Sequence, residues 1–314
     1  MATNGKGTLD ILKGSASDFI EDDCPTMAAA LSYYTVFSLP PLLVLLLALL
    51  GALFDPQDVQ GTLETQIQGL MGPSGAEQVR TILANADRPG SGNVVATVLG
   101  IVALVIGATG VFGQLQAALN KAWNVGPDPD QGGIKSFLLK RVFSLGMVLG
   151  LAFVLLVSLV LSAALTAFGD SLAGFLPDGL SEPVLHAINF VISFAVITLL
   201  FAAIFKILPD ATIGWRDVWV GATFTAFLFT VGKFLLGLYL GSSNPGEAFG
   251  AAGALALMLV WIYYTSMIVF LGAEFTETWA ERRGRGIVPE KGAVRVVREV
   301  RHERTSGSEP AESH

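Results

Sequence analysis

Three groups of polar side chains lie inside or against long apolar runs, and their types set the chemistry available. Lys233 stands alone in FTVGKFLLGLYL, where an ammonium could hold an anion. Tyr33, Tyr34 and Ser38 precede Pro40-Pro41, with Ser32 and Thr35 one turn further back. Each proline lacks a backbone donor and clashes with the turn before it. In hydrocarbon, the carbonyls so freed must find partners among hydroxyls, neighbouring helices or water. The expectation is a first helix broken at Pro40-Pro41, with Tyr33, Tyr34 and Ser38 lining a polar substrate path. A kink that only improves packing is the competing reading. Glu274, Asp217 and Glu247 form the third group. Glu274 is expected to cap a helix or pair with Lys206, Arg216 or the run Arg282-Arg283-Arg285. Asp217 opens a helix, where an acid complements the dipole, and Glu247 is the acid within reach of Lys233. Trp261 and Tyr263 lie deep in the last apolar run and complete the expected path.

A lysine within a spanning helix costs about 2.5–3.5 kcal/mol on insertion scales and usually faces a cavity or the bundle interior. Its stem could instead lift the ammonium to the interface. At 1.5 Å per residue, Lys233 stands roughly 24 Å from the start of its run.

The elements carrying these groups are membrane helices. Hydrophobic residues make up 52% of the 314-residue chain and charged residues 14%, against about 25% charged in soluble domains. Mean hydropathy is +0.61. The run from Met27 to Phe54 carries no charge and exceeds the ~20 residues that cross a bilayer core. The chain reads as all-α and polytopic, with spans at about 25–54, 94–113, 142–168, 184–207, 217–240 and 250–273. Residues 1–24 form a polar N-terminal segment with an amphipathic stretch (Leu9, Ile11, Leu12, Phe19, Ile20). Asp23 before Cys24-Pro25 reads as a helix start. In the outer loop 55–93, Val59, Leu63, Ile67 and Leu70, then Val79, Ile82 and Leu83, predict two short helices about Gly72-Pro73. Residues 276–314 read as a disordered cytoplasmic tail.

With the N-terminus inside, inner segments hold sixteen Lys or Arg and outer loops two, Arg80 and Arg88. That asymmetry places both termini in the cytoplasm. No cleavable leader is expected, because Asp10, Asp18, Glu21, Asp22 and Asp23 replace a basic first region. The fourth span has no proline pair, so no inverted repeat is visible. Gly107, Gly110 and Gly113, with Gly146 and Gly150, have the small-residue spacing of close helix contacts. Asn120 and Asn189 are candidates for hydrogen bonds between helices.

Enzymatic signatures are absent. There is no H-E-x-x-H, G-x-S-x-G or Walker-type loop. The histidines at 186, 302 and 314 do not cluster, and Cys24 is the only cysteine, so neither metal, cofactor nor disulfide is expected. The tail mixes Glu299, Glu303 and Glu309 with its arginines, which suits anionic lipid headgroups better than nucleic acid.

Four blocks carry a resemblance: ALSYYTVFSLPPLLVLLLALLG, FGQLQAALNKAWNV, GWRDVWVGATFTAFLFTVGKFLLGLYL and FGAAGALALMLVWIYYTSMIVFLGAEF. Together they resemble the YihY/BrkB family of bacterial inner-membrane proteins over residues 20–280. The stretch GSSNPGEAFGAAGAL departs from the family by lacking its tyrosines. The resemblance implies six helices with both ends inside, and transport or export of envelope-related compounds. An older label for the family, ribonuclease BN, finds no chemistry in these residues. Two functions are therefore expected in competition. One is a transporter or exporter of an envelope-related, anionic or lipid-like substrate; the other is a non-transporting scaffold for envelope proteins. Membrane lipids are partners under both.

Overall fold

The computed structural model describes residues 4–51, 94–128, 181–242, 253–283 and 286–297, scattered positions between 55 and 81, and residues 146 and 150. Apart from 146 and 150, the third predicted span lies outside the described residues, as do Glu247, residues 298–314 and most of the loop 55–93.

The described chain is mostly helical. Helix α1 is Asn4–Glu21, α2 Cys24–Gly51, α3 Val94–Ala122, α4 Ser181–Ile207, α5 Trp215–Ser242 and α6 Gly253–Arg282. Among the described residues, four segments are long and apolar enough to cross a membrane: Cys24–Val44, Phe190–Ile207, Trp215–Leu238 and Leu255–Arg282. They are apolar on nearly every side, the pattern of helices that face lipid as well as protein. Accordingly Phe190, Val191, Phe227, Phe234, Leu235 and Leu238 are exposed. Helix α3 covers the second predicted span.

Helix α1 is different in kind. Ile11, Ser15 and Phe19 form its buried stripe, at i, i+4 and i+8, while Leu9, Leu12 and Ile20 point outward. The stripe docks on α6, where Gly14 brings its backbone close to the Thr278 methyl. Asp23, in the left-handed region (φ 58°), reverses the chain into α2. It accepts the Thr26 hydroxyl at 2.8 Å.

The expected break in α2 is not found. The helix runs through Pro40 and Pro41 without interruption. The Pro41 ring packs against α3 at Gly107, where a Cβ would come within 2.7 Å of its Cγ, so the proline site is closed by packing. The Ser32 and Thr35 hydroxyls turn back on the carbonyls of Ala29 and Leu31, at 2.8 and 2.7 Å. They serve the turn below and do not reach the prolines. Gly110 faces Ser38, whereas a Cβ at Gly113, Gly146 or Gly150 would meet only open space.

The tail also differs from expectation. Residues 276–282 complete α6, and residues 286–297 carry two short strands, so ordered structure extends past 275. Strand β4 (Ala293–Arg295) pairs antiparallel with β1 (Val125–Pro127), just after α3. Strand β3 (Val288–Pro289) pairs antiparallel with β2 (Ala211–Thr212), between α4 and α5. The strands are too short to show a period-2 pattern. Their pairing depends on where α3, α4 and α6 end.

Inside those ends lies the core: Leu119 of α3 and Trp123 in the turn just after it, Phe205 of α4, Val218 of α5, and Phe270 and Ala273 of α6, all fully buried or nearly so. In the described part of the outer loop, Val59 and Leu63 are buried, and Arg80 reaches back to Glu64 at 2.8 Å.

Candidate functional site

Lys233 emerges into a groove of about 890 Å³ between α4 and α5. Phe190 and Phe194 line one wall, their rings stacked at 6.4 Å. Phe227, Thr230, Val231, Phe234 and Leu238 line the other, and Gly237 opens the floor. Almost all of this surface is apolar. Lys233 is half-buried and has no hydrogen bond or ion pair among the described residues. The groove can therefore hold an extended apolar body while presenting one positive charge to it.

The other members of the expected path are not gathered here. Tyr33 and Tyr34 are 59% and 48% exposed on the outer face of α2. There Tyr33 packs on Phe37, with ring centroids 4.7 Å apart. Ser38 is buried towards α3, and Pro40 and Pro41 are half-covered. Trp261 packs on Phe229 at 6.2 Å, and Tyr263 is part of the core's edge. None of these residues lines the Lys233 groove. Their grouping in the sequence reflects helix order, which does not fix the face each presents.

A second polar centre lies at the opposite end of the bundle. Asn120 donates to Asp210 Oδ2 at 2.8 Å and accepts the Asp210 backbone N–H at 2.8 Å; Gln116 donates to Oδ1 at 3.0 Å. This clamp ties α3 to the turn after α4. Trp123 is 1% exposed and donates its indole N–H to the Ala273 carbonyl at 3.0 Å, tying α3 to α6. Lys206 donates to the Ile213 carbonyl at 2.7 Å and lies over the Trp215 ring. Asp217 is buried in the first turn of α5, close to Gly214.

Among the described residues Glu274 makes none of the ion pairs expected of it; Arg285 lies outside them. It is fully buried on α6, and its Oε1 accepts the Cys24 thiol of α2 at 3.4 Å. Its Oε2 has no partner among the described residues. Three of the basic candidates are engaged elsewhere: Lys206 as above, Arg282 beside Asp10 at 3.9 Å, and Arg283 on the Trp279 ring. Glu277, one turn on, is also buried. On α1, Asp18 Oδ2 accepts the Thr278 hydroxyl at 3.3 Å. Burial holds the Asp18 carboxyl above the usual carboxylate range, while that hydrogen bond opposes the shift.

The helices also carry a short repeat that hydropathy does not reveal: Gly221-Ala222-Thr223-Phe224-Thr225 on α5 and Gly272-Ala273-Glu274-Phe275-Thr276 on α6 share the pattern G-A-x-F-T. In space they cross antiparallel. A Cβ on Gly221 would overlap the Thr276 hydroxyl, and one on Gly272 would overlap that of Thr225. Phe224 and Phe275 stack at 4.1 Å beside the crossing. The variable position is exposed Thr223 in one copy and buried Glu274 in the other.

Fold and sites define a helical membrane protein. The sequence profile described as "Virulence factor BrkB" matches residues 15–296, and the chain belongs to that family. It is 30% identical over 268 residues, 84% of this chain and 61% of the relative, to a UPF0761 membrane protein of Pseudomonas paraeruginosa. A UPF0761 membrane protein of Pseudomonas aeruginosa is 31% identical over 82% of this chain and 60% of its own length. One from Stenotrophomonas maltophilia is 28% identical over 92% and 67% respectively. The chain thus spans about three fifths of the length of the first two relatives. No solved structure matches it.

Proposed function

We propose that this chain is a transporter or exporter of the bacterial cytoplasmic membrane, moving an anionic, lipid-like compound of the cell envelope. The observation that carries this reading is the groove at Lys233. An apolar trough along two lipid-facing helices, holding one cation without a described partner, suits an amphiphile with an acidic headgroup. In this reading the membrane domain 25–275 crosses six times with both termini cytoplasmic. The four apolar helices, the length of α3 and the segregation of Lys and Arg support that topology. The reading includes no catalysis, cofactor or nucleic acid. The closed proline site removes the helix break as a reason for a conduit, so the proposal rests on the groove.

The test is export of envelope material by Lys233→Ala and Lys233→Gln proteins, with correct folding checked in parallel. Loss of export in both supports the reading; full retention in both removes it. Single cysteines at 227, 231 and 234, in a Cys24→Ser background, should be labelled by a water-soluble reagent if the groove admits a headgroup. A groove dry throughout, together with loss of function on deleting residues 286–297, would favour a scaffold for envelope proteins.

A further inference from the structure

Every buried charged side chain among the described residues is an acid: Asp22, Asp217, Glu274 and Glu277. Three of the four, Asp22, Glu274 and Glu277, lie within electrostatic reach of one another around the convergence of α1, α2 and α6. Buried carboxylates are ordinarily paired or neutralised, because desolvation strongly disfavours an isolated charge. Glu274 Oε2, fully enclosed and without a partner among the described residues, points to something their side chains do not supply.

We propose that this junction is a binding site for a monovalent cation, with the Glu274 carboxylate as its ligand and a proton or a sodium ion as the occupant. A divalent metal is disfavoured by geometry, because among the described residues no three acidic, histidine or cysteine side chains converge as its coordination requires. The groups facing Glu274 can be named element by element. Helix α1 contributes Asp18, the turn after it Asp22, α2 the Cys24 thiol, and α6 itself Glu277. Around this inner set, Lys121 of α3 faces Cys24, while Glu281 of α6 and Arg295 of β4 face Glu277. Arg295 is bound to Glu281 at 3.2 Å on the exposed edge, so its charge is largely taken up there. Among the described residues no base stands in the set facing Glu274, and one added positive charge offsets its own.

Occupancy has a mechanical consequence. Thr278 donates to the Glu274 carbonyl at 2.9 Å and lies 3.3 Å from both Asp18 Oδ2 and the Ser15 hydroxyl. Helix α1 is thereby seated on the same turn of α6 that carries Glu274. An empty site leaves the acids of α1 and α6 repelling one another across that seam, and a filled site holds them together. This inference does not depend on the transport reading.

The test is thermal melting of the full-length protein in detergent. One arm varies sodium against choline at fixed pH; the other varies pH at fixed ionic strength. A wild-type melting temperature that rises with sodium assigns sodium. One that rises only on acidification assigns a proton, provided that Glu274→Gln loses most of that response. Glu277→Gln is the second variant. By removing a neighbouring negative charge, it should weaken the hold on the cation and move the response to higher sodium or lower pH. A wild type indifferent to both cations overturns the proposal. So does a Glu274→Gln protein that responds as the wild type does or, should that variant not fold, a Glu277→Gln response that stays in place.

Discussion

Trp123 joins two helices with one atom. Its indole N–H reaches the Ala273 carbonyl from a fully enclosed position, so the donor has no water to fall back on. Trp123→Phe keeps most of the packing and removes the donor; an expected loss of about 1 kcal/mol would be read as a lower melting temperature in detergent. A second residue-scale prediction concerns the outer loop. The Arg80 guanidinium, 2.8 Å from Glu64, holds that carboxyl below its ordinary value, with Gln60 assisting. A depressed acid contributes stability that is present above the ordinary glutamate pKa and lost as pH falls through the lowered one. Acidification through that window should increase proteolysis of the loop, and Arg80→Gln should remove most of the pH dependence, leaving the share that Gln60 supplies. At this scale the sequence was partly legible. Asn120 could be recognised as a hydrogen-bonding residue between elements from its type and place. Its partner could not, because Asp210 lies ninety positions away in a turn. The isolation of Glu274 was equally hidden: nearby arginines are visible in a sequence, but what they already hold is not.

At the scale of the helices, the crossing of α5 and α6 is set by two glycines that have no room for a methyl group. Gly272→Ala drives a Cβ into the Thr225 side chain, and an overpacking cost of about 1–3 kcal/mol is expected, measured by melting. Thr225→Ala in the same chain should restore only part of the loss, because the Thr225 Cβ itself lies 2.9 Å from the added atom. Full restoration would mean that the hydroxyl and methyl groups alone set the spacing. Helix positions were legible because apolar length belongs to a segment by itself. Helix faces were not, and α2 illustrates the difference. Its prolines signalled a break, but the outcome depended on Gly107 of another helix, whose missing side chain admits the Pro41 ring. The G-A-x-F-T pair was available to a search for short internal repeats; its weight became clear only when the two copies met.

For the molecule as a whole, a mostly helical membrane class and the family were legible in the sequence; the four short strands were not expected of an all-α chain, and they are what fastens one end of the bundle. The topology is tested by fusing a reporter that works only in the cytoplasm to each terminus; activity at both is expected, and activity at one alone would refute the six-crossing reading. Truncation after Arg282 tests the fastening. It removes β3 and β4, and a lower melting temperature is expected although every membrane helix is retained.

The order in which these pieces are made carries a consequence of its own. Strands β1 and β2 leave the ribosome well before their partners, and each must wait for residues 288–295 before its ladder can close. Until then, the turns after α3 and α4 have backbone groups that only water can satisfy. Assembly of this end is therefore a late event in synthesis, completed only by the chain that follows α6.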